Sequence, residues 1–218
     1  LLHARTSRQS FPSKIASLAR GFPRSIISFL ILPFVIIVQN KPVIVIVGPT
    51  GSGKTGVGIR IAKKLSGEII SADSRAIYKG MNIGTAKPSL EEQDGVPHFG
   101  LDLVEPGERF TVADWKEYAE QEICSIRNRG NRPVIVGGTG LYVDALVYDY
   151  QFTLDAKKNY SDRNEMSSDY LVYGIKWENE ELKARLRKRI ELMFGEDLYQ
   201  ETRELVEKFG WDSQAMKS

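Results

Sequence analysis

Five consecutive β-branched residues, VIVIV at 43–47, run directly into GPTGSGKT at 48–55. The next apolar residues, Val57, Ile61, Ala62 and Leu65, recur at helical spacing. An unbroken β-branched run reads as a strand buried on both faces, as in a parallel sheet. The eight residues after it fit G-x-x-x-x-G-K-[ST] in the strand–loop–helix context that pattern requires. The residue types explain the chemistry. Gly48, Thr50, Gly51, Ser52 and Gly53 form a loop whose backbone N–H groups can surround phosphate oxygens. The helix N-terminus adds partial positive charge. Lys54 brings a full positive charge, and the Thr55 hydroxyl is placed for Mg²⁺. A phosphate or diphosphate ligand follows. What the phosphate is attached to does not.

The segments downstream place further candidates at the same edge of a sheet. Residues 68–71 read as a second strand, with Asp73 just past its carboxyl end, where open parallel sheets bind ligands. A carboxylate there is a candidate general base or a holder of metal-bound water, and a helix cap or turn is the plain alternative. Residues 77–88 read as a loop lining the site, with Lys79, Thr85 and Lys87 as basic or polar candidates. His98 lies in an extended stretch, and a lone histidine there reads as structural more readily than as substrate-facing. Thr111 and Asp114 have capping-box spacing. The helix they open carries Val112, Trp115, Ala119, Ile123 and Ile126 as its apolar face, with Cys124 read as a small hydrophobe. The strand at 133–136 runs into Gly137-Gly138-Thr139-Gly140, where a motor or switch ATPase usually has a Mg²⁺-assisting Asp. This suggests a second small-residue loop near the ligand, with the Thr139 hydroxyl as a donor.

Strands at 43–47, 68–71, 98–104, 133–137 and 170–177 thus alternate with helices at 54–66, 111–129, 139–147, 179–194 and 197–209. The expected fold is α/β, a P-loop NTPase-like open parallel sheet flanked by helices. Composition agrees with a globular chain: 218 residues, 42% hydrophobic and 27% charged. One cysteine excludes a disulfide framework, and two histidines, His3 and His98, argue against a multi-His metal site or a Ser-His-Asp triad.

The charge is uneven. Residues 1–40 hold five basic residues and no acidic one, whereas the whole chain has 30 basic and 28 acidic. This separates an N-terminal extension, 1–40, from a core beginning at 41. Its apolar stretch from Ile26 to Val38, interrupted by Pro33, is shorter than the roughly 20 residues of a spanning helix. It reads as a tail, a targeting segment or translated upstream sequence, since the first Met is Met81. No membrane association is expected of the core.

Five stretches resemble the tRNA dimethylallyltransferase family in its order: GPTGSGKT (48–55), SADSRAIYKGMNIGTAKP (71–88), VPHFGLDL (96–103), VGGTGLY (136–142) and LKARLRKRIELMFGEDL (182–198). The resemblance implies transfer of a dimethylallyl group from dimethylallyl diphosphate to N6 of an adenosine beside the anticodon of tRNA. It implies that the loop at 48–55 holds the donor's diphosphate with Mg²⁺ on Thr55, that Asp73 is the base near N6, and that Thr139 is a donor near the reacting centre. Ser74, Arg75 and Lys79 are then the tRNA contacts. In the last motif Leu182, Leu186, Ile190 and Met193 form an apolar stripe. Arg189 falls within about 20° of Leu182 and Arg185 about 60° away, so both are candidates for the diphosphate, with snorkelling as the alternative. The family also implies a cytoplasmic enzyme, expected here as a monomer.

The chain departs from the family pattern at three places. Ala76 stands where the family has Gln, and Phe99 where a second His is usual. Only about 25 residues follow the GGTGLY helix where relatives insert a helical domain that grips the anticodon arm. The expected organisation is therefore a core at 41–148, a polar linker at 149–169 in place of the insertion domain, and a C-terminal strand with helices at 170–218. Rival readings are an isopentenyltransferase acting on AMP or ATP, a P-loop small-molecule kinase, and a catalytically inactive nucleotide-binding module.

Overall fold

The computed structural model describes residues 41–152 and 165–217. The N-terminal extension and most of the expected linker lie outside the described residues. Five strands form one sheet: β1 Val43–Val47, β2 Gly67–Ser71, β3 His98–Phe99, β4 Arg132–Gly137 and β5 Tyr170–Gly174. Their order is β3-β2-β4-β1-β5, and every pairing is parallel. The helices are α1 Lys54–Leu65, α2 Val112–Asn128, α3 Gly140–Val147, α4 Asn179–Gly195, α5 Leu198–Phe209 and the short α6 Gln214–Lys217. This is the α/β architecture expected from the sequence.

The β1 run explains the layering. Successive side chains alternate faces. Val43 and Val45 join a core with Ile70, Ile135, Trp115, Ile126 and Leu146, under α2 and α3. Ile44 and Ile46 join the opposite core with Ile59, Ala62, Ile69 and Val134, under α1. Trp115 stacks on Tyr142 with ring centroids 4.6 Å apart, and its indole N–H donates to the Ser71 carbonyl at 3.1 Å. α2 starts in the expected capping box: the Asp114 N–H donates to the Thr111 hydroxyl, and the Asp114 carboxylate accepts from the Thr111 N–H at 2.7 Å. The Thr111 hydroxyl, donating to that carboxylate at 2.6 Å, and the Thr111 N–H hold the Asp114 carboxyl below its usual range. Among the described residues no helix is long and apolar enough to cross a membrane.

Four expectations are corrected. The strand at 98–104 is only two residues long, because Gly100 (φ +80°) and Asp102 (φ +52°) turn the chain, and Val104 rejoins through a single bridge to Tyr78. β5 stops at Gly174 rather than 177, since Trp177 is already folded over the glycine-rich loop. Cys124 is exposed, on the side of α2 away from the core. In α4 the half-buried residues are Leu182, Leu186, Arg189 and Met193, while Ile190 is 51% exposed. At 100° per residue Ile190 sits about 80° from Leu182, and Arg189 lies nearer the stripe's centre than Ile190 does.

Candidate functional site

The site is the cleft beyond the carboxyl ends of β1, β2 and β4. Thr50, Lys54 and Thr55 from the glycine-rich loop line one side. Ser71, Asp73 and Gly137 line its floor, and Thr85, Ala86 and Lys87 the wall opposite. His98 and Arg189 also face it. The expected meeting of Asp73 with Lys54 is therefore present, although the two are 19 positions apart in the sequence.

The loop takes its shape from Gly51 (φ +79°) and Gly53 (φ +85°), both in a region that side chains disfavour. Lys54 Nζ donates to the Pro49 carbonyl at 2.8 Å. The Ser52 side chain is buried and its Oγ has no hydrogen-bond partner, while the Ser52 N–H donates to the Pro49 carbonyl at 3.2 Å. Gly48 leaves room for it: a Cβ there would lie 3.1 Å from Ser52 Oγ.

Two cations and a carboxylate face one another. Burial pushes the Lys54 ammonium below the ordinary lysine range, Asp73 pulls it up, and Arg189 lowers it further. Arg189 donates weakly to the Thr85 carbonyl at 3.3 Å, and its Nε is buried without a partner. A diphosphate would answer both cations. Because only protonated Lys54 attracts an anion, affinity of the free protein for inorganic pyrophosphate should fall as pH rises through a pKa below that of an ordinary lysine. Titration calorimetry across that range checks this. Lys54→Arg, whose guanidinium stays charged, should flatten the fall.

Asp73 Oδ1 accepts from the Arg75 N–H at 2.9 Å and the Ala76 N–H at 3.4 Å. The carboxylate is thus fixed at the turn after β2 while it faces the cleft. His98 Nδ1 lies 2.8 Å from the Val96 carbonyl, which can only accept, so this nitrogen carries the proton and Nε2 is an acceptor. Burial keeps the ring below the ordinary histidine pKa. Ala76 is buried and lines the cleft.

Other expected site residues are held by contacts within the protein. The Thr139 hydroxyl accepts from the Ser74 N–H at 2.9 Å and lies 3.2 Å from Ser74 Oγ. Both Thr139 and Ser74 therefore tie the loop after β4 to the loop after β2. The Arg75 guanidinium donates to the Ala215 carbonyl in α6 at 2.7 Å. Lys79 pairs with Glu105 at 3.2 Å in a second groove that also holds Glu201, Glu204 and Asp197. Arg185 sits on the outer side of the glycine-rich loop, where its Nε donates to the Gly51 carbonyl at 2.8 Å.

Two residues with structural leverage on the site gave no sequence signal. The Glu201 carboxylate accepts from three successive N–H groups, those of Asn82, Ile83 and Gly84, at 2.8, 2.8 and 2.9 Å. It anchors α5 to the loop whose next residues line the cleft. Trp177 donates its indole N–H to the Ser52 carbonyl at 2.9 Å. In sequence each is one polar or aromatic residue without a motif, and its partners are more than 100 residues away.

Known proteins are similar to this chain in sequence and fold. The IPP transferase family matches residues 76–167, and the isopentenyl transferase family matches residues 41–103. The tRNA dimethylallyltransferase of Bacillus pumilus is 51% identical over 66% of this chain, and that of Alkaliphilus metalliredigens 48% identical over 62%. The matched stretch is 45% and 43% of those two proteins, so this chain spans less than half their length. The tRNA dimethylallyltransferase of Staphylococcus haemolyticus is 34% identical over 82% of this chain and 73% of its own length. That alignment runs over 242 positions, more than this chain has, so the relative carries residues without a counterpart here. The solved structure of the tRNA isopentenylpyrophosphate transferase of Staphylococcus epidermidis covers 82% of this chain and 78% of its own, at 34% identity and a TM-score of 0.72. The Bacillus halodurans enzyme gives 30% identity and 0.73, covering 82% of this chain and 74% of its own. Taken with a cleft that sets Lys54 and Arg189 against Asp73, these matches show that the chain belongs to the tRNA dimethylallyltransferase (IPP transferase) family.

Proposed function

We propose that this protein transfers a dimethylallyl group from dimethylallyl diphosphate to N6 of adenosine 37, next to the anticodon of tRNA. The observation that carries the proposal is the convergence of Lys54, Arg189 and Asp73 on one cleft at the carboxyl ends of the strands. In the reaction the bond between the allylic carbon and the diphosphate oxygen breaks. The electron pair leaves with the diphosphate, N6 bonds to the carbon, and N6 gives up one proton. Lys54, Arg189 and the loop N–H groups stabilise charge that grows on the leaving diphosphate. Asp73 takes the proton, which offsets the low nucleophilicity of an amine conjugated into adenine.

Thr55 and Asp73 both present hard oxygen donors to the cleft, and that donor set suits Mg²⁺. Among the described residues no group of three His, Cys, Asp or Glu forms a dedicated metal cage. Thr55, with Asp73 nearby, would hold the ion, which would supply charge neutralisation of the leaving group. We place this activity in the cytoplasm, in a monomer. In our reading the acceptor is held with a reduced anticodon grip, because residues 149–169 take the place where the family resemblance implies a helical insertion.

The test is transfer from radiolabelled dimethylallyl diphosphate with Mg²⁺, offered bulk tRNA, AMP and ATP in parallel. Label in tRNA supports the proposal. Label confined to AMP or ATP would move the acceptor to free adenine nucleotides. Absence of label with all three would refute prenyl transfer by this chain.

A further inference from the structure

A loop that binds phosphate through backbone N–H groups must keep its peptide planes turned one way. In a trans peptide the carbonyl of one residue and the N–H of the next point in opposite directions, because the unit is planar. Orienting a loop carbonyl outward therefore orients the following N–H inward. Two side chains here grip two successive carbonyls of the loop from outside. Arg185 Nε donates to the Gly51 carbonyl at 2.8 Å, and Trp177 Nε1 donates to the Ser52 carbonyl at 2.9 Å. The two grips support each other, since the Arg185 guanidinium lies over the Trp177 ring, 4.4 Å from its centroid. α4 closes on the same spot: a Cβ at Gly51 would come within 2.9 Å of Leu186 Cδ2.

We propose that Trp177 is a positioning residue for the phosphate loop. It holds the Ser52–Gly53 peptide so that the Gly53 N–H faces the anion. Trp177 touches no reacting atom in this scheme. It acts through one peptide plane, and Arg185 locks the indole in place. The consequence for function rests on the reading of the cleft as a diphosphate site, but the geometric claim does not. A ring that merely packed there would be served equally well by phenylalanine. The indole N–H is what separates the two roles.

Trp177→Phe keeps the aromatic face under Arg185 and removes the donor. Trp177→Leu removes both. In the 218-residue chain, hydrogen exchange of the loop amides at 51–55 should quicken about 5-fold in Trp177→Phe, as loss of one net hydrogen bond implies, and more in Trp177→Leu. Affinity for inorganic pyrophosphate should weaken by a similar factor. In the transfer assay the KM for dimethylallyl diphosphate should rise while the KM for the acceptor holds. Wild-type exchange at 51–55 in Trp177→Phe would overturn the proposal whatever the activity. So would a faster exchange spread evenly over the sheet, which would mark a packing role. If the exchange effect is present but wild-type protein prenylates nothing, the positioning role stands and the functional reading falls.

Discussion

Gly137→Ala should lower the thermal midpoint by about 10 °C, the largest loss expected from adding one methyl group to this chain. A Cβ at 137 would lie 2.0 Å from the Ala72 carbonyl oxygen, 2.3 Å from its carbon and 2.6 Å from the Ala72 Cα. These are backbone atoms of a fully buried residue, so no side chain can swing aside. β4 must instead separate from the turn after β2. That strains two hydrogen bonds, Ala72 N–H to the Val136 carbonyl at 2.9 Å and Thr139 N–H to the Ala72 carbonyl at 3.1 Å. Overpacking costs about 1–3 kcal/mol and each lost buried bond about 1 kcal/mol more. At roughly 2–4 °C per kcal/mol for a chain of this size, the sum gives the stated shift. Gly140→Ala is the matched control. Nothing lies within 4 Å of its added Cβ, and alanine favours the first turn of α3, so its midpoint should hold or rise. Thermal unfolding followed by circular dichroism checks both. A fall of only a degree or two in Gly137→Ala would show that the two loops relax apart without cost, and Asp73 would then not be rigidly placed.

The contrast between Gly137 and Gly140 also shows what could be read from sequence. The β-branched run at 43–47 and the apolar periodicities of α1 and α2 announce the sheet and its two faces, because local pattern and burial coincide there. Lys54 and Asp73 were legible for the same reason: each follows directly on a strand whose end must open on the cleft. GGTG reads only as a run of small residues. That its first glycine fits against Ala72 while its threonine ties down Ser74 depends on which strands are neighbours. The same holds for Arg185. Its angle on α4 points it toward the body of the protein, as expected, yet its Nε meets the outer side of the loop rather than the cleft. Helical phase gives a direction, not a partner. Trp177 and Glu201 were illegible because a hydrogen bond to a backbone carbonyl or N–H leaves no trace in the identity of its partner. The break of β3 at Gly100 was missed for a related reason: the turn forms where that glycine passes the Ser71 backbone, with an added Cβ only 2.9 Å from the Ser71 carbonyl oxygen.

Asp73→Asn should cut dimethylallyl transfer by about 10²- to 10⁴-fold while leaving the protein folded, the range expected when a positioned general base is removed. The substitution is chosen for what it keeps. Asparagine retains a side-chain oxygen to accept from the Arg75 and Ala76 N–H groups, so the turn after β2 should hold its shape, which Asp73→Ala would not guarantee. What it removes is the negative charge and the site for the N6 proton. Two signs follow. Pyrophosphate affinity at neutral pH should stay level or tighten, because a carboxylate no longer faces the anion. The alkaline fall in that affinity should move to lower pH. Asp73 is the group that raises the Lys54 pKa against burial and Arg189, so without it Lys54 loses its proton sooner. Single-turnover transfer and pyrophosphate titrations on one preparation measure all three effects. Transfer within tenfold of wild type would remove Asp73 from the chemistry and leave it as a turn residue. A loss of transfer matched by an equal loss of pyrophosphate affinity would instead place its role in binding. Loss of transfer with affinity preserved is the outcome that a base facing two cations across a diphosphate site requires.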